Sequence, residues 1–103
     1  MTRLKTISKL SDLQRAYRRS VENRDGQEYA IFREFQEEIS KLTVEEIKYL
    51  RALMWFGRGD FPTFEEAEFE SSVQLVDEQF PSYFIEKRLD KYLISGLERK
   101  HTH

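Results

Sequence analysis

Residues Leu50–Phe61 read LRALMWFGRGDF, an apolar run followed by two glycines that separate the charges of Arg58 and Asp60. Up to Phe56 the run is apolar on nearly every side of a helix, which is typical of a helix buried in the middle of a bundle. Gly57 follows the last apolar residue, where glycine can adopt the left-handed conformation that closes a helix. We therefore expect a central, most buried helix that ends at Gly57, followed by a turn.

Arg58-Gly59-Asp60 is also the tripeptide that integrins bind on animal cell surfaces. Integrin ligands are extracellular, whereas the amino terminus, MTRLKTISKLSDLQ, lacks the apolar run of a signal peptide. No other apolar run is long enough to span a bilayer. A three-residue motif also recurs by chance in unrelated proteins. We therefore interpret the tripeptide as a structural turn, and we expect a cytoplasmic protein that does not enter a membrane.

Helical spacing of apolar residues extends in both directions from this stretch. It predicts five segments: 11–23, 27–42, 44–56, 64–79 and 82–95. Three of them begin with the residue pairs of a capping box, which satisfies the free N–H groups of a first turn. These pairs are Ser11 with Gln14, Thr43 with Glu46, and Thr63 with Glu66. Gly96 is expected to close the last helix.

The predicted fold class is all-α, a single-domain bundle of four to five amphipathic helices. The domain spans residues 1–103, and we expect residues 1–10 and 98–103 to be frayed or extended. The core is predicted from residues three and four apart along the third and fourth segments. It comprises Leu50, Leu53, Met54, Phe69, Val73 and Val76.

The same stretch carries a family resemblance. LRALMWFGRGDF, preceded by FREFQEEISKLTVEEIKY and followed by DKYLISGL, resembles a family of small bacterial proteins with no assigned function, whose core reads L-V-A-L-M-W-L-G-R-G-D. The likeness covers roughly Tyr29 to Leu97. It implies an all-helical bacterial protein and transfers no catalytic residue. Family members carry a Gly and a Pro before the last helix. Here the region reads IEKRLDK, so that helix is expected to continue unbroken.

Charge is distributed unevenly along the chain, although the net charge is only -2. Residues 1–24 hold seven Lys or Arg against two acidic residues, whereas the remainder holds ten basic and seventeen acidic residues. Arg15, Arg18 and Arg19 lie largely off the apolar stripe of the first segment. We expect them to meet acidic protein surface, either on the same chain or on a second copy. The alternative is an anionic partner.

Residues that would carry chemistry are few. The chain has no cysteine, and its two histidines are His101 and His103, in the tail. No His–Glu spacing suits zinc or a di-iron site, and no serine has a glycine elbow with an internal histidine base. We therefore expect no catalytic residue, no cofactor and no metal. Carboxylates are abundant, so an enzyme with an unrecognised carboxylate site stays an alternative.

The favoured function is that of a non-enzymatic protein–protein interaction module, with self-association as one form of that interaction, because the chain is rich in aromatic residues. Its partner would be another protein or a second copy of the chain. The candidate partner-binding residues are Arg15, Arg18, Arg19, Trp55, Arg58 and Asp60. The alternative is nucleic-acid binding through the basic first helix. The acidic remainder of the chain would repel phosphate, and the helix lacks polar base-reading side chains beside its arginines.

Overall fold

All regular elements of the part of the chain that the computed structural model describes, residues 3–102, are helices. The predicted all-α class is confirmed, with six helices in place of four to five. In chain order they are α1 Arg3–Asn23, α2 Glu28–Ser40, α3 Val44–Arg58, α4 Phe64–Val73, α5 Phe80–Ile85 and α6 Leu89–His101.

Helix α3 is the central element, as the sequence predicted. It packs against α6 on one side and α4 on another, while α1 packs against α2 and α6, and α5 packs against α2. The predicted capping box begins it, since Thr43 Oγ1 accepts from the Glu46 amide at 3.1 Å and Glu46 Oε1 accepts from the Thr43 amide at 2.8 Å. Its buried residues are Ile47, Leu50, Arg51, Ala52, Leu53, Met54, Trp55 and Phe56.

Two glycines allow α3 and α6 to approach closely. A Cβ atom on Gly57 would overlap the carbonyl oxygen of Tyr92 and lie 2.7 Å from the amide nitrogen of Gly96. A Cβ atom on Gly96 would overlap the carbonyl oxygen of Leu53. The prediction that these glycines end helices is therefore wrong. Both lie within helices, and α3 is closed instead by Gly59, which has a φ of 91°.

The first helix begins earlier than predicted, and the last helix ends later than predicted. Residues 3–10 and 98–101 are helical, so the expectation of extended or frayed ends is wrong for these residues. Ile7 and Leu10 continue the buried stripe of α1 toward its start, which explains the extension. Ser11 lies inside α1, and its hydroxyl donates to the Leu89 carbonyl at 3.3 Å, so it caps no helix. Residues 1, 2 and 103 lie outside the described residues.

The last predicted segment is two helices, so the expectation of an unbroken helix through IEKRLDK is wrong. Helix α5 ends at Ile85 and α6 begins at Leu89. The two helices pack on different neighbours: α5 contacts α2, with Phe84 6.4 Å from the ring of Phe35, whereas α6 contacts α1 and α3. Since Ile85 and Leu89 are both buried, the break lets each helix bury its own apolar side.

Helix α4 presents a different side to the core from the one predicted. Leu50, Leu53 and Met54 are buried as expected and Val76 is partly buried, but Phe69 and Val73 are 67% and 60% exposed. The residues of α4 that are buried are Phe64, Ala67 and Ser71. Ser71 Oγ donates to the Lys48 carbonyl at 2.7 Å, and this bond and the small Ala67 side chain hold this side of α4 against α3.

Candidate interaction surface

The outward side of α4 and the segments that flank it carry an unusual amount of exposed apolar surface. Besides Phe69 and Val73, Leu75 is 89% exposed just after the helix ends. Phe69 also lines a shallow groove of about 510 Å³, together with other apolar and acidic residues. Its lining consists of Phe61, Pro62, Glu65, Glu66, Phe69 and Glu70. We call Phe61, Pro62, Phe69, Val73 and Leu75 together the α4 face.

Trp55 connects this groove to a second concave region. Its ring lies 5.8 Å from the ring of Phe61, which lines the groove. Its indole nitrogen donates to the Tyr83 hydroxyl at 3.0 Å. Trp55, Tyr83 and Leu75 also line a cleft of about 320 Å³. Phe69 therefore lines one aromatic depression and Leu75 lines a second one beside it.

A buried arginine fixes the loop that follows α4. Arg51 Nε donates to the Ser71 hydroxyl at 2.9 Å, and its Nη groups donate to the carbonyls of Ser71, Gln74 and Leu75 at 2.6, 2.8 and 3.3 Å. Burial lowers the pKa of Arg51 from its ordinary value. Its charge faces the carbonyl end of α4, where the helix dipole is negative. Arg51 thereby holds Leu75 at the surface.

Sequence reasoning missed Arg51 as a residue that shapes this region. The available signal was a charged residue inside a run that is otherwise apolar, LRALMWF. An arginine at such a position must be hydrogen-bonded when buried. Its partners are backbone carbonyls twenty or more residues away, and sequence spacing carries no information about such contacts.

Arg58 and Asp60 form an ion pair across the turn that Gly59 makes. Arg58 Nη2 lies 2.6 Å from Asp60 Oδ2, and Arg58 Nε lies 2.9 Å from the same oxygen. The hydrogen bond to Asp60 raises the pKa of Arg58. The tripeptide is thus a turn between α3 and α4, as the sequence predicted. It connects directly to Phe61, so Trp55, Arg58 and Asp60 lie together beside the groove.

The three arginines of α1 belong to another part of the molecule. Arg15 and Arg18 lie 3.7 and 3.5 Å from Asp90, in the first turn of α6. Burial raises the pKa of Asp90, but the hydrogen bond from Arg88 and the nearby arginine charges outweigh this effect, so its pKa lies below the ordinary value. Arg19 is exposed. The predicted site residues therefore form two separate groups in the structure. In the α1 group, Arg15 and Arg18 form ion pairs with a carboxylate of the same chain.

Over residues 3–102, no group of three or more His, Cys, Asp or Glu side chains has an arrangement that could hold a metal ion. No helix in that range is long and apolar enough to cross a membrane.

A model of a protein family matches residues 32–101, more than half of the chain, and its description is "Protein of unknown function (DUF3775)". The chain belongs to this family. The match includes α3, α4 and α6, and therefore the Gly57–Gly96 contact, the Arg58–Asp60 turn and the α4 face. Helix α1 lies outside it. Comparison with curated proteins and with solved structures gave no match.

Proposed function

We propose that this protein is a non-enzymatic interaction module of the bacterial cytoplasm, which binds another protein through the α4 face. The observation that carries the proposal is the exposure of Phe69, Val73 and Leu75 beside a groove and an aromatic cleft. Exposed apolar residues that cluster around concave surface are typical of protein-binding sites.

The way in which the α4 face is held also supports this function. Arg51 fixes the carbonyl end of α4 with four hydrogen bonds, and the Arg58–Asp60 pair fixes the turn before the groove. A surface that is ordered before a partner arrives loses less conformational entropy on binding. Both devices belong to the region that the family model covers.

Nucleic-acid binding through α1 is less well supported. Arg15 and Arg18, two of the three arginines that would contact phosphate, already lie beside Asp90 of the same chain, and only Arg19 is exposed. Phosphate would have to displace this carboxylate. An enzyme is also less well supported, since the glutamates of the groove line an open surface, and a catalytic carboxylate usually acts where water is excluded.

Site-specific photo-crosslinking in the cells that make the protein would test the proposal. A photoreactive phenylalanine analogue is introduced in place of Phe69 or, as a control, in place of Tyr29, which is exposed on α2. We expect one discrete crosslinked product from position 69 and none from position 29. Equal products from both positions, or none from position 69, would contradict the proposal.

A matched pair of variants then separates binding from folding. Phe69→Ser should abolish the product formed by a photoreactive residue at position 73, while the melting temperature stays close to that of the wild type. Tyr29→Ser, an equally exposed aromatic, should leave the product unchanged.

A further inference from the structure

Acidic residues surround the α4 face. Residues 59–79 hold seven Asp or Glu and no Lys or Arg. Four of these carboxylates are on α4 itself: Glu65, Glu66, Glu68 and Glu70. None of the four lies within 4.0 Å of a basic group among residues 4–102, whose side chains the structure describes. Within that range, these carboxylates therefore have no ion-pair partner.

Some carboxylates on other helices form ion pairs. On α2, Glu34 lies 3.3 Å from Lys9 and Glu38 lies 2.9 Å from Lys41. On α6, Asp90 lies within ion-pair distance of Arg15, Arg18 and Arg88. Two basic side chains lie close to α4 without forming an ion pair with its glutamates. Lys48 Nζ donates to the Ser72 carbonyl at 2.8 Å, and Lys100, which lines a cavity with Glu65, lies over the ring of Phe64.

Apolar and acidic residues line the groove together. Phe61, Pro62 and Phe69 provide its apolar surface, and Glu65, Glu66 and Glu70 provide its acidic surface. A ligand that fits this arrangement needs a bulky apolar side chain for the groove and cations on either side of it. An amphipathic segment with Lys or Arg flanking a large apolar residue meets both requirements.

We propose that the α4 face binds a basic amphipathic segment of a partner protein. This inference rests on the proposed function and adds the chemistry of the partner. An apolar side chain of the segment enters the groove beside Phe69, and its cations lie against Glu65, Glu66 and Glu70. Contacts between exposed opposite charges increase the association rate and select the partner, while apolar burial supplies most of the affinity.

A second copy of this chain fits the surface less well. A two-fold symmetric dimer through the α4 face would bring its acidic residues against the same residues of the other copy, and like charges across an interface are unfavourable. A head-to-tail contact of α1 with α4 of another copy would leave one free end of each kind and extend into open chains unless it closed into a ring. A foreign basic segment has neither difficulty.

Binding of synthetic helical peptides to the full chain tests the inference. Three peptides of about 18 residues share the same leucines and differ only in carrying Lys/Arg, Gln or Glu on the polar side. Trp55 is the single tryptophan and lies 5.8 Å from Phe61, so its fluorescence reports occupation of the groove. We expect the basic peptide to bind at least about 10-fold more tightly than the Gln peptide at low salt.

The charge dependence should be specific to the groove. The triple variant Glu65→Gln, Glu66→Gln, Glu70→Gln should remove the preference for the basic peptide. The control, Glu22→Gln, Glu37→Gln, Glu98→Gln, changes the net charge equally at exposed positions on other helices and should retain it. Raising the salt from about 50 to about 300 mM should weaken binding of the basic peptide only.

Three outcomes would overturn the inference. Equal binding of the basic and Gln peptides, abolished by Phe69→Ser, would refute the basic partner while supporting an apolar interaction surface. Binding of no peptide, together with a photo-crosslink at position 69 in cells, would refute the partner class alone. Sedimentation that reveals self-association abolished by Phe69→Ser would identify a second copy as the occupant.

Discussion

Gly57→Ala gives the sharpest test of the fold, because two physical effects oppose each other. Gly57 is inside α3, where alanine is favoured over glycine by about 1 kcal/mol from helix propensity alone. The added Cβ, however, would overlap the Tyr92 carbonyl oxygen and lie 2.7 Å from the Gly96 amide nitrogen. Both neighbours are backbone atoms of α6, which cannot move away as the end of a flexible side chain can.

To accommodate alanine, α3 and α6 must separate along their contact. Leu53, Phe56 and Leu93 are fully buried near this contact and would lose part of their packing. A gap of about 0.5–1 Å already forfeits a quarter to a half of the dispersion attraction between two atoms. Overpacking costs about 1–3 kcal/mol, occasionally more, and overlap with backbone atoms places Gly57→Ala at the upper end, about 3 kcal/mol. After subtraction of the gain of about 1 kcal/mol from helix propensity, we expect a net loss of about 2 kcal/mol in the free energy of unfolding.

Urea unfolding followed by circular dichroism measures this loss, with Gly26→Ala and Gly59→Ala as comparisons. Neither of those glycines has an atom within 4 Å of the added Cβ, but both have positive φ, 79° and 91°. Each should lose about 1–2 kcal/mol from left-handed strain alone. If Gly57→Ala were as stable as the wild type or more stable, the close approach of α3 and α6 would be refuted.

Three further perturbations have defined outcomes. Met54→Ala should lower the free energy of unfolding by about 2–5 kcal/mol and Phe69→Ala by less than about 0.5 kcal/mol, since only Met54 is buried; equal losses in urea unfolding would contradict this assignment. Arg51→Lys should destabilise the protein by about 1–3 kcal/mol, because an ammonium cannot make the four hydrogen bonds of the guanidinium; an unchanged urea midpoint would argue against its role. The pKa of Asp90 is lower in the folded than in the unfolded chain, so the unfolded state binds more protons as the pH falls. The contribution of Asp90 to stability is therefore present above about pH 4 and lost as the pH falls further. Asp90→Asn should flatten this acid dependence in thermal unfolding scans, and an unaltered acid limb would exclude the ion pairs as its cause.

The sequence determined the class of the fold and the position of its centre. Apolar residues at three- and four-residue spacing predicted helices, and the densest run, LRALMWF, predicted the central one. These signals are local, since they depend only on helix periodicity. The capping box at Thr43 and Glu46 was readable for the same reason, because both partners lie within one turn. The expected membership of a family with no assigned function is confirmed, since the chain belongs to a family of unknown function.

The tertiary structure alone decided which residues of α4 face outward and what the glycines do. Phe69 and Val73 have helical spacing that fits a core, but Ala67 and Ser71 are smaller, and Ser71 bonds to Lys48 and Arg51 of α3. Gly57 and Gly96 resemble helix ends in the sequence, yet each removes a side chain where two backbones meet. Such contacts join residues far apart in the chain. Periodicity describes one helix at a time, so the α4 face emerges only when the helices pack together.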